Sequence, residues 1–496
     1  MANVGQGGRA LDLGDRNLPN VPERVITPIY NRANLSPGIV HIGLGNFHRA
    51  HQAWYLHRLM QQGQALDWAI IGAGVRPADR AMRAKLLGQD CLTTLVELDP
   101  AGGAVEITGA MIDFLPVEDG NAALIGCMST PEIRIVSLTV TEGGYFRDAN
   151  GELDTTHPDI LHDAANPHVP RTAFGAMIAA LRARRDAGLG PFTAQCCDNL
   201  QHNGDVLRQT VVGLAELSDP ELADWIDTNT SFPDAMVDCI VPATGEGELA
   251  AVHALGIRDA APVTHENFRQ WVIEDDFCAG RPPWEDVGVT LTNSVHQYET
   301  MKIRVLNAGH QVLANVGELL GLPTIAACMV DDDISAFFDK VQRNEILPHV
   351  CAVPDVTPSE YLDMVSRRFT NPMIHDTTRR VAFDGSARHA GFVVPIIRDA
   401  LASGAPIQGL ALTEALWSRM CAGTREDGSQ IAPNDPHWDM LRRLAHRSKD
   451  APNLWLTSTA VYGDLGENEP FAAAFEAQLR AVWDLGSARA VRAYLG

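Results

Sequence analysis

The feature that most constrains this chain is an apolar run that ends in glycines and leads into a helical pattern, GIVHIGLGNFHRA over residues 38–50. A buried strand, a Gly-x-Gly turn and a helix start, in that order, are typical of a unit whose backbone N–H groups face a pyrophosphate. Gly43 and Gly45 form the turn, and Phe47 follows it as a further candidate contact. His48 replaces the third glycine of the full pattern, and we expect it on the helix surface or at the edge of a cofactor. A metal-binding pair with His51, three residues on, is the alternative, although no third ligand is visible.

A second predicted strand, residues 68–75, is followed by Arg76 and Asp79. An acidic residue after this strand accepts hydrogen bonds from the adenosine ribose and repels a 2′-phosphate, so Asp79 predicts NAD as the cofactor. Arg76 and Arg80 would tolerate the additional phosphate, and NADP therefore stays the alternative. Asp79 could instead serve only as a cap of the next helix.

Two further predicted strands, residues 133–140 and 192–197, end in small and polar residues. Thr141 and Glu142 follow the first strand, and Asn199 follows the second. Because ligands of an open parallel sheet bind at the carboxyl ends of its strands, these three are candidate cofactor-binding or catalytic residues. An Asx-turn that closes the strand is the alternative role of Asn199. Helical patterns between the strands complete a βαβ alternation.

The second half of the chain has a different pattern, because its hydrophobic period is helical almost throughout. The change follows a Pro-rich break, GRPPW, at residues 280–284. A chain of 496 residues is also too long for one hydrophobic core. We therefore predict a Rossmann-type, doubly wound α/β domain with an N-terminal arm over residues 1–290. A predominantly α-helical domain over residues 291–496 would carry the substrate and catalytic groups.

The charge balance and the cysteines argue against several classes of function. A formal net charge of −23 disfavours nucleic acid and anionic membranes as partners. No apolar run reaches the roughly 18 residues that a membrane span requires. The nine cysteines form no CxxC pair, which argues against a zinc site and for reduced thiols. We expect a cytoplasmic enzyme that uses no metal.

One stretch of the second half, YETMKIRVLNAGH at residues 298–310, places polar side chains along one face of a predicted helix. With about 100° of rotation per residue, Glu299, Lys302, Asn307 and His310 fall within an arc of roughly 140°. Partial burial of this face would lower the pKa of the lysine and make it a candidate general base. A solvated helix face that carries unrelated polar residues is the alternative.

A loop of the same half, residues 371–388, carries several arginines beside an Asp-Gly-Ser turn. Arg380 and Arg388 are candidates to hold an anionic or polyhydroxylated ligand, because a guanidinium presents several donors in a fixed plane. Pairing with the surface carboxylates of an acidic protein is the alternative.

Together these motifs resemble those of the polyol-specific long-chain dehydrogenases, the family of the mannitol dehydrogenases and of the fructuronate and tagaturonate reductases. The resemblance extends over essentially the whole chain from Ile39, and the bacterial mannitol-oxidising members look most similar. The Lys-x4-Asn-x2-His element is specific, whereas the glycine turn alone would not be. The matching stretches are HIGLGNFHRAHQAWY (41–55), IRIVSLTVTEGGY (133–145), CDNLQHNG (197–204), FPDAMVDCIVP (232–242) and YETMKIRVLNAGH (298–310).

The resemblance implies hydride transfer between NAD and a substrate carbon without a metal. Lys302 would be the base that takes the hydroxyl proton, and Asn199 and Asn307 would donate hydrogen bonds to the developing charge on oxygen. His310 would orient a substrate hydroxyl. Glu299 lies one turn before Lys302, and we expect it to tune the lysine or to relay its proton to solvent.

The substrate implied by the resemblance is an acyclic hexitol that is oxidised at a secondary alcohol, D-mannitol to D-fructose. Reduction of a hexuronate and oxidation of D-arabinitol or D-sorbitol are the alternatives. Arg380 matches a family arginine that reaches the far hydroxyls of the substrate, and Arg388 stands where the family usually has lysine. Ala78 stands where NAD-preferring relatives are often acidic, which keeps NADP open. The polyol or ketose is the one partner implied, and the relatives include monomers.

Overall fold

The computed structural model describes residues 10–148 and 151–496. The chain divides into two compact units, Met1–His296 and Gln297–Gly496, called here the first and the second unit. All strands of the described residues belong to the first unit, and the second unit is built from helices. In the described ranges, no helix has the length and apolar composition that crossing a membrane requires.

The first unit contains one large sheet and several small ones. Its strands are β1 (Leu11–Asp12), β2 (Pro37–Ile42), β3 (Ala69–Ala73), β4 (Thr93–Leu98), β5 (Val105–Thr108), β6 (Met111–Phe114), β7 (Ile135–Leu138), β8 (Thr193–Cys196), β9 (Ala235–Asp238), β10 (Ile257–Arg258), β11 (Val263–Glu266), β12 (Gln270–Ile273) and β13 (Thr290–Leu291).

The large sheet has the order β6-β3-β2-β7-β8, and all its strands are parallel. β2 lies at its centre, where Ile39 pairs with Ile70 of β3 on one side and with Ile135 of β7 on the other. Crossovers between parallel strands require connecting helices, which explains the alternation seen in the sequence. The Rossmann-type prediction for the first half and the helical prediction for the second are both confirmed.

The first unit also contains α-helices, several of which cover the two faces of this sheet. They are α1 (Asn46–Ala50), α2 (Gln52–Gln61), α3 (Asp79–Leu87), α4 (Ala122–Met128), α5 (Pro158–Ala165), α6 (Ala173–Asp186), α7 (Asn203–Glu216), α8 (Pro220–Asn229) and α9 (Glu246–Ala254). Neighbouring residues of β2 point to opposite faces. Val40 packs in the cluster that contains Phe174 of α6, whereas Ile39 packs in the cluster that contains Leu56 of α2.

Three small sheets were not predicted from the sequence. They have the strand orders β11-β4-β5, β13-β12-β9 and β1-β10. Their strands have two to six residues, and several are rich in Thr and Glu, so the hydrophobic period of each is short and weak. Tertiary pairing rather than local pattern therefore decides that these segments are strands.

The prediction that His48 lies on the helix surface is wrong. His48 is 1% exposed, and its ring stacks on that of His41 with centroids 3.4 Å apart. His41 Nε2 lies 3.0 Å from Thr139 Oγ1, and its Nδ1 lies 2.8 Å from Ser137 Oγ. Burial lowers the pKa of His41 to about 3 and that of His48 well below its usual range, so both rings are neutral. In the full glycine pattern, the third glycine lets the helix pack closely on the strand. In this protein, the stacked neutral rings of His48 in α1 and His41 in β2 fill that contact.

The second unit is helical. Its α-helices are α10 (Val295–Met301), α11 (Ala308–Leu320), α12 (Ile325–Val330), α13 (Asp332–Val341), α14 (Pro358–Phe369), α15 (Thr378–Val381), α16 (Gly385–Arg388), α17 (Val394–Ser403), α18 (Gln408–Cys421), α19 (Trp438–Ser448), α20 (Thr459–Tyr462), α21 (Glu469–Leu485) and α22 (Ser487–Leu495). α18 packs against α11 and α21, and its residues from Gly409 to Cys421 are buried on every side. A helix that is buried on every side belongs to the centre of a domain.

Three π-helical segments interrupt the helices of this unit, at Lys302–Asn307, Gln342–Ile346 and His389–Val393. The first joins α10 to α11, and the Ala308 N–H donates to the Ile303 carbonyl, five residues back. The angular estimate made from the sequence assumed a regular α-helix and is therefore wrong. A π turn inserts about one residue, or about 100°, so the arc that holds Glu299, Lys302, Asn307 and His310 narrows from roughly 140° to roughly 80°.

We predict that the stacked histidines make the first unit sensitive to acid. Their pKa values in the folded state lie below the ordinary 6.5, so the unfolded chain takes up protons that the folded chain does not. Their contribution is fully present above about pH 6.5 and is lost as the pH falls below it. In His48→Phe, which keeps a ring on His41, urea midpoints should decline less steeply between pH 6.5 and pH 5. Equal slopes for the variant and the wild type would contradict this assignment.

Candidate active site

The glycine turn after β2 requires glycine at Gly43 for two reasons. Gly43 has a φ of +97°, and a Cβ there would lie 2.2 Å from the Thr139 carbonyl oxygen. Thr139 Oγ1 also donates to the Gly43 carbonyl over 2.6 Å. The turn is therefore fastened to the end of β7, the neighbouring strand.

The opposite side of this turn is open. A Cβ on Gly45, the residue that precedes α1, would meet no other atom within 4 Å. Phe47, the second residue of α1, is half-buried, and its ring stacks on His51 with centroids 4.7 Å apart. The helix itself is broken at His51, which has φ −120° and ψ −91°, so α1 and α2 are separate helices.

Asp79 holds the loop between β3 and α3. Its Oδ2 accepts the backbone N–H of Arg76 over 2.9 Å, and its Oδ1 lies 3.5 Å from the Arg76 guanidinium. Asp79 is the first residue of α3, whose N-cap is Ala78. A carboxylate in the first turn interacts favourably with the helix dipole, so the capping role and the ligand-binding role are compatible.

One cavity of the first unit brings together Gly43, Arg76, Asp79 and Thr141. Their shared location was expected from the carboxyl ends of parallel strands. The apolar part of its lining consists of Ile42, Val75, Val140, Phe146, Ala173 and Phe174. Asp159, Arg171 and Thr172 also line it, so the cavity combines an apolar slot with two carboxylates, two guanidinium groups and a glycine turn.

Asp198 is the residue of this region that the sequence analysis missed. It follows β8, and its carboxylate accepts the backbone N–H groups of Val140 and Thr141, both over 2.9 Å. It also accepts the Tyr145 hydroxyl over 2.7 Å. Thr141 has a φ of +70°, a conformation that a β-branched residue adopts only when neighbouring contacts hold it. Asp198 thus fixes the loop after β7.

Asn199 follows Asp198 directly and is exposed. The clamp on the preceding carboxylate fixes the backbone from which its amide projects. Asp198 could have been identified from the sequence, because it directly precedes the predicted Asn199 in the CDN element. The side chain of Glu142 lies outside the described residues, and its predicted contact with the cofactor stays a prediction.

The polar helix of the second unit carries Glu299 and Lys302 as buried residues, 6% and 7% exposed. Charged side chains are seldom this buried unless they are paired or functional. Asn307 is half-buried at the far end of the π turn. Lys302 is the first residue of the π segment and Asn307 is the last. Irregular helical turns of this kind are frequent at functional sites.

His310 lies in the first turn of α11, and its ring stacks on Phe369 with centroids 4.2 Å apart. Burial lowers the pKa of His310 to about 4, although the Asp376 carboxylate, 3.8 Å from Nε2, acts in the opposite direction. The imidazole is therefore neutral near pH 7, with one ring nitrogen that donates and one that accepts. Its Nε2 is buried and has no hydrogen-bond partner among the described residues.

Asp376 joins His310 to Arg380. The Arg380 guanidinium donates to both carboxylate oxygens of Asp376, over 2.7 Å and 2.6 Å, and most of the arginine stays exposed. Arg388 donates to the Val381 carbonyl over 2.8 Å and is half-buried. The structure thus places Arg380 beside the polar helix through a carboxylate that sequence reasoning had not assigned. The i, i+4 spacing of Asp376 and Arg380 was the available signal.

The first unit therefore holds a dinucleotide-type cavity, and the second unit holds a helix that carries a buried lysine, an amide and a neutral imidazole. These are features that an oxidoreductase uses. Comparison with known proteins agrees with this class. The family model of the mannitol dehydrogenase Rossmann domain matches residues 37–286, and that of the mannitol dehydrogenase C-terminal domain matches residues 294–483. The chain belongs to the mannitol dehydrogenase family.

Individual relatives cover nearly all of the chain. Mannitol 2-dehydrogenase of Cereibacter sphaeroides is 56% identical over 471 residues, which are 95% of this chain and 99% of the relative. Among solved structures, the complex of Pseudomonas fluorescens mannitol 2-dehydrogenase with NAD and D-mannitol is 41% identical, with a TM-score of 0.87 and coverage of 98% and 99%. A substrate-free D-sorbitol dehydrogenase is 33% identical, with a TM-score of 0.89 and coverage of 97% and 100%.

We predict that His310 stays neutral down to about pH 4 and that Asp376 sets part of this value. The carboxylate favours the imidazolium, so Asp376→Asn should lower the pKa of His310 further. Long-range ¹H–¹⁵N NMR of histidine-labelled protein would follow the ring nitrogens, with His310→Gln to assign the resonance. A His310 that titrates near its ordinary 6.5, or whose pKa rises in Asp376→Asn, would contradict this account.

Proposed function

We propose that the protein oxidises D-mannitol to D-fructose with NAD, by direct hydride transfer and with Lys302 as the general base. The observation that carries this proposal is the helix on which a buried lysine, an amide and a neutral imidazole share one narrow face. Membership of the mannitol dehydrogenase family supports it, as does the 56% identity to a mannitol 2-dehydrogenase.

The first unit fits a dinucleotide. The open side of Gly45 leaves room for a pyrophosphate to approach the backbone, and the apolar slot has the character of an adenine site. We propose that Asp79 accepts from the adenosine ribose, with Gly43, Phe47, Arg76, Thr141 and Glu142 as the other contacts. NAD would supply the acceptor for the hydride that leaves C2 of the alcohol.

Lys302 in its neutral form would take the proton of the C2 hydroxyl. The two electrons of the C2–H bond leave with the hydride, and the oxygen becomes the ketone oxygen of fructose. The products are fructose, NADH and one proton, which the lysine must release before the next turnover. Glu299, buried one turn before Lys302, is the group that we propose to receive that proton or to set the basicity of the lysine.

Asn307 and Asn199 would donate hydrogen bonds to the substrate oxygen as negative charge develops on it. Preorganised amide donors suit this task, because they stabilise the transition state more than the neutral alcohol. His310, held neutral by burial, can donate to one substrate hydroxyl without adding a charge to the site. A neutral imidazole also leaves the pKa of a neighbouring lysine less perturbed than an imidazolium would.

Arg380 and Arg388 are the proposed contacts for the far hydroxyls of the polyol. Asp376 holds Arg380 from behind through two hydrogen bonds, which fixes the guanidinium plane and leaves its exposed edge available. A planar donor that is fixed in this way can recognise adjacent hydroxyls at little cost in side-chain entropy.

D-sorbitol is the second candidate substrate, favoured by the structural match to a D-sorbitol dehydrogenase. D-sorbitol and D-mannitol differ only in configuration at C2, and oxidation there gives D-fructose from both. Initial rates with both hexitols and with D-arabinitol, followed as NADH absorbance, would rank them. Hexuronate reduction belongs to the same panel, and turnover of fructuronate without turnover of any hexitol would contradict the proposal.

We predict that Lys302→Ala lowers kcat for D-mannitol by on the order of 10² to 10⁴-fold, because general-base assistance is lost. Small primary amines added to the variant should restore part of the rate, since they supply the missing base. Stopped-flow or steady-state NADH formation would measure both effects.

Lys340→Met is the matched control for this experiment. Lys340 is another lysine of the second unit, and it donates to the Tyr494 and Leu495 carbonyls. Its replacement should leave kcat near the wild-type value. Near wild-type activity of Lys302→Ala would reject the lysine as the base.

Glu299→Gln should shift the pH dependence of kcat/KM without abolishing turnover.

We also predict that Asp79→Ala relaxes the discrimination between NAD and NADP. The carboxylate now contacts both the backbone and the guanidinium of Arg76, and its removal frees that cation for a 2′-phosphate. The ratio of kcat/KM values for NAD and NADP should fall by roughly tenfold or more, which corresponds to about 1.4 kcal/mol. In Asp79→Ala/Arg76→Ala the gain with NADP should disappear. An unchanged ratio in the single variant would contradict the role of Asp79.

A further inference from the structure

The π turn between Lys302 and Asn307 sets the direction in which the proposed catalytic residues point. If the segment tightened to a regular α-helix, every residue after the turn would rotate by about 100° relative to Lys302. Asn307 and His310 would then turn away from Lys302, and the arc that holds the four polar residues would widen from roughly 80° to roughly 140°. The proposed chemistry thus requires a helical irregularity that a regular backbone ladder does not favour.

A side chain from elsewhere in the fold binds the backbone inside this turn. The amide of Gln342 donates to the Val305 carbonyl over 2.7 Å, and Val305 is the fourth residue of the π segment. Gln342 is fully buried at the end of α13. A buried carbonyl needs a partner, and an external donor here makes the wide turn stable where a regular ladder would otherwise compete.

Gly309 explains how Gln342 reaches that carbonyl. A Cβ at this position would lie 2.4 Å from Gln342 Nε2 and 3.0 Å from Phe338 Cε2. Because Gly309 is helical and has an ordinary φ, conformational freedom does not require glycine there. Close approach of the Gln342 amide and the Phe338 ring does require it. The glycine between Asn307 and His310 therefore leaves room for the Gln342 amide.

The position of Gln342 is itself well determined. It is the first residue of the second π segment, and Glu345 of that segment accepts the N–H groups of Gly409 and Leu410 at the start of α18. Glu345 also accepts the Tyr494 hydroxyl over 2.9 Å. The donor that holds the π turn is thus anchored to the central helix of the unit.

We propose that Gln342 is a positioning residue of the reaction, which acts by holding the π turn at Val305 and so keeps Asn307 and His310 aligned with Lys302. Gln342 touches none of the reacting atoms in this account. Gly309 belongs to the same device, because it admits the amide. The inference rests on the proposed polyol oxidation and specifies how its geometry is maintained.

Two variants break the Gln342–Val305 hydrogen bond from opposite sides. Gln342→Met keeps the volume and removes the donor, whereas Gly309→Ala keeps the donor and displaces it. Each should lower kcat for D-mannitol by on the order of 10 to 10²-fold, the effect of misplacing catalytic groups by about 1 Å.

The KM for NAD should stay unchanged in both variants. The primary deuterium isotope effect on kcat should rise as hydride transfer becomes slower. The double variant should be no slower than the slower single variant, because both act through one bond.

Ser448→Ala is the matched control, since it deletes the hydrogen bond of another buried side chain to a carbonyl of the second unit, Ser448 Oγ to Leu444 over 2.8 Å. It should keep kcat near the wild-type value. Crystal structures of both test variants should show a regular α-helix, or a displaced turn, between residues 302 and 308. A folded Gln342→Met protein with wild-type kcat would overturn the inference while leaving the proposed function intact. A wild-type protein that oxidises no hexitol would overturn both.

Discussion

The π turn at Lys302–Asn307, between α10 and α11, is the constraint on which the proposed active site of this protein depends. It lies between the buried Lys302 and the residues that we propose to act with it, and it decides how narrow the face is that their side chains share. A helix fixes the relative directions of its side chains more rigidly than a loop does. A one-residue irregularity in the helix therefore changes the direction of every side chain that follows it. The hydrogen bond from Gln342 and the close packing at Gly309 connect this local geometry to the core of the second unit.

In the first unit, too, contacts with neighbouring segments fix the backbone of the proposed binding site. At Gly43 the backbone approaches the end of β7 so closely that no side chain fits, and Asp198 gathers the loop after β7 with three hydrogen bonds. Both devices fix backbone groups at the carboxyl ends of parallel strands, where an open sheet binds its ligand. Rigid placement before the ligand arrives reduces the ordering that binding must otherwise supply.

Four strands of the large sheet could be predicted from the sequence, because each lies in an apolar run, and the helices of the second unit have clear periods. The edge strand β6 was not predicted. Gly43, Asp79 and Thr141 could be grouped as one site by the rule that parallel strands end at one edge. The π turn could not be predicted, since nothing local distinguishes it from a regular helix and its stabilising partner is about forty residues away in the sequence. Asp198 and Asp376 were missed because each is determined by contacts with a distant segment, the loop after β7 and His310. His48 was misplaced although its stacking partner His41 is only seven residues away, because the sequence pattern does not show how two rings pack.

Direct transfer of hydride from the polyol is the central claim, and isotope tracing tests it most directly. D-mannitol has a twofold axis that makes C2 and C5 equivalent, so the substrate should be deuterated at both carbons. Mass spectrometry and NMR of the products should then show one deuterium at nicotinamide C4 of NADH and one retained at C5 of fructose. Deuterium that appears in water, or NADH that contains only protium, would contradict the account.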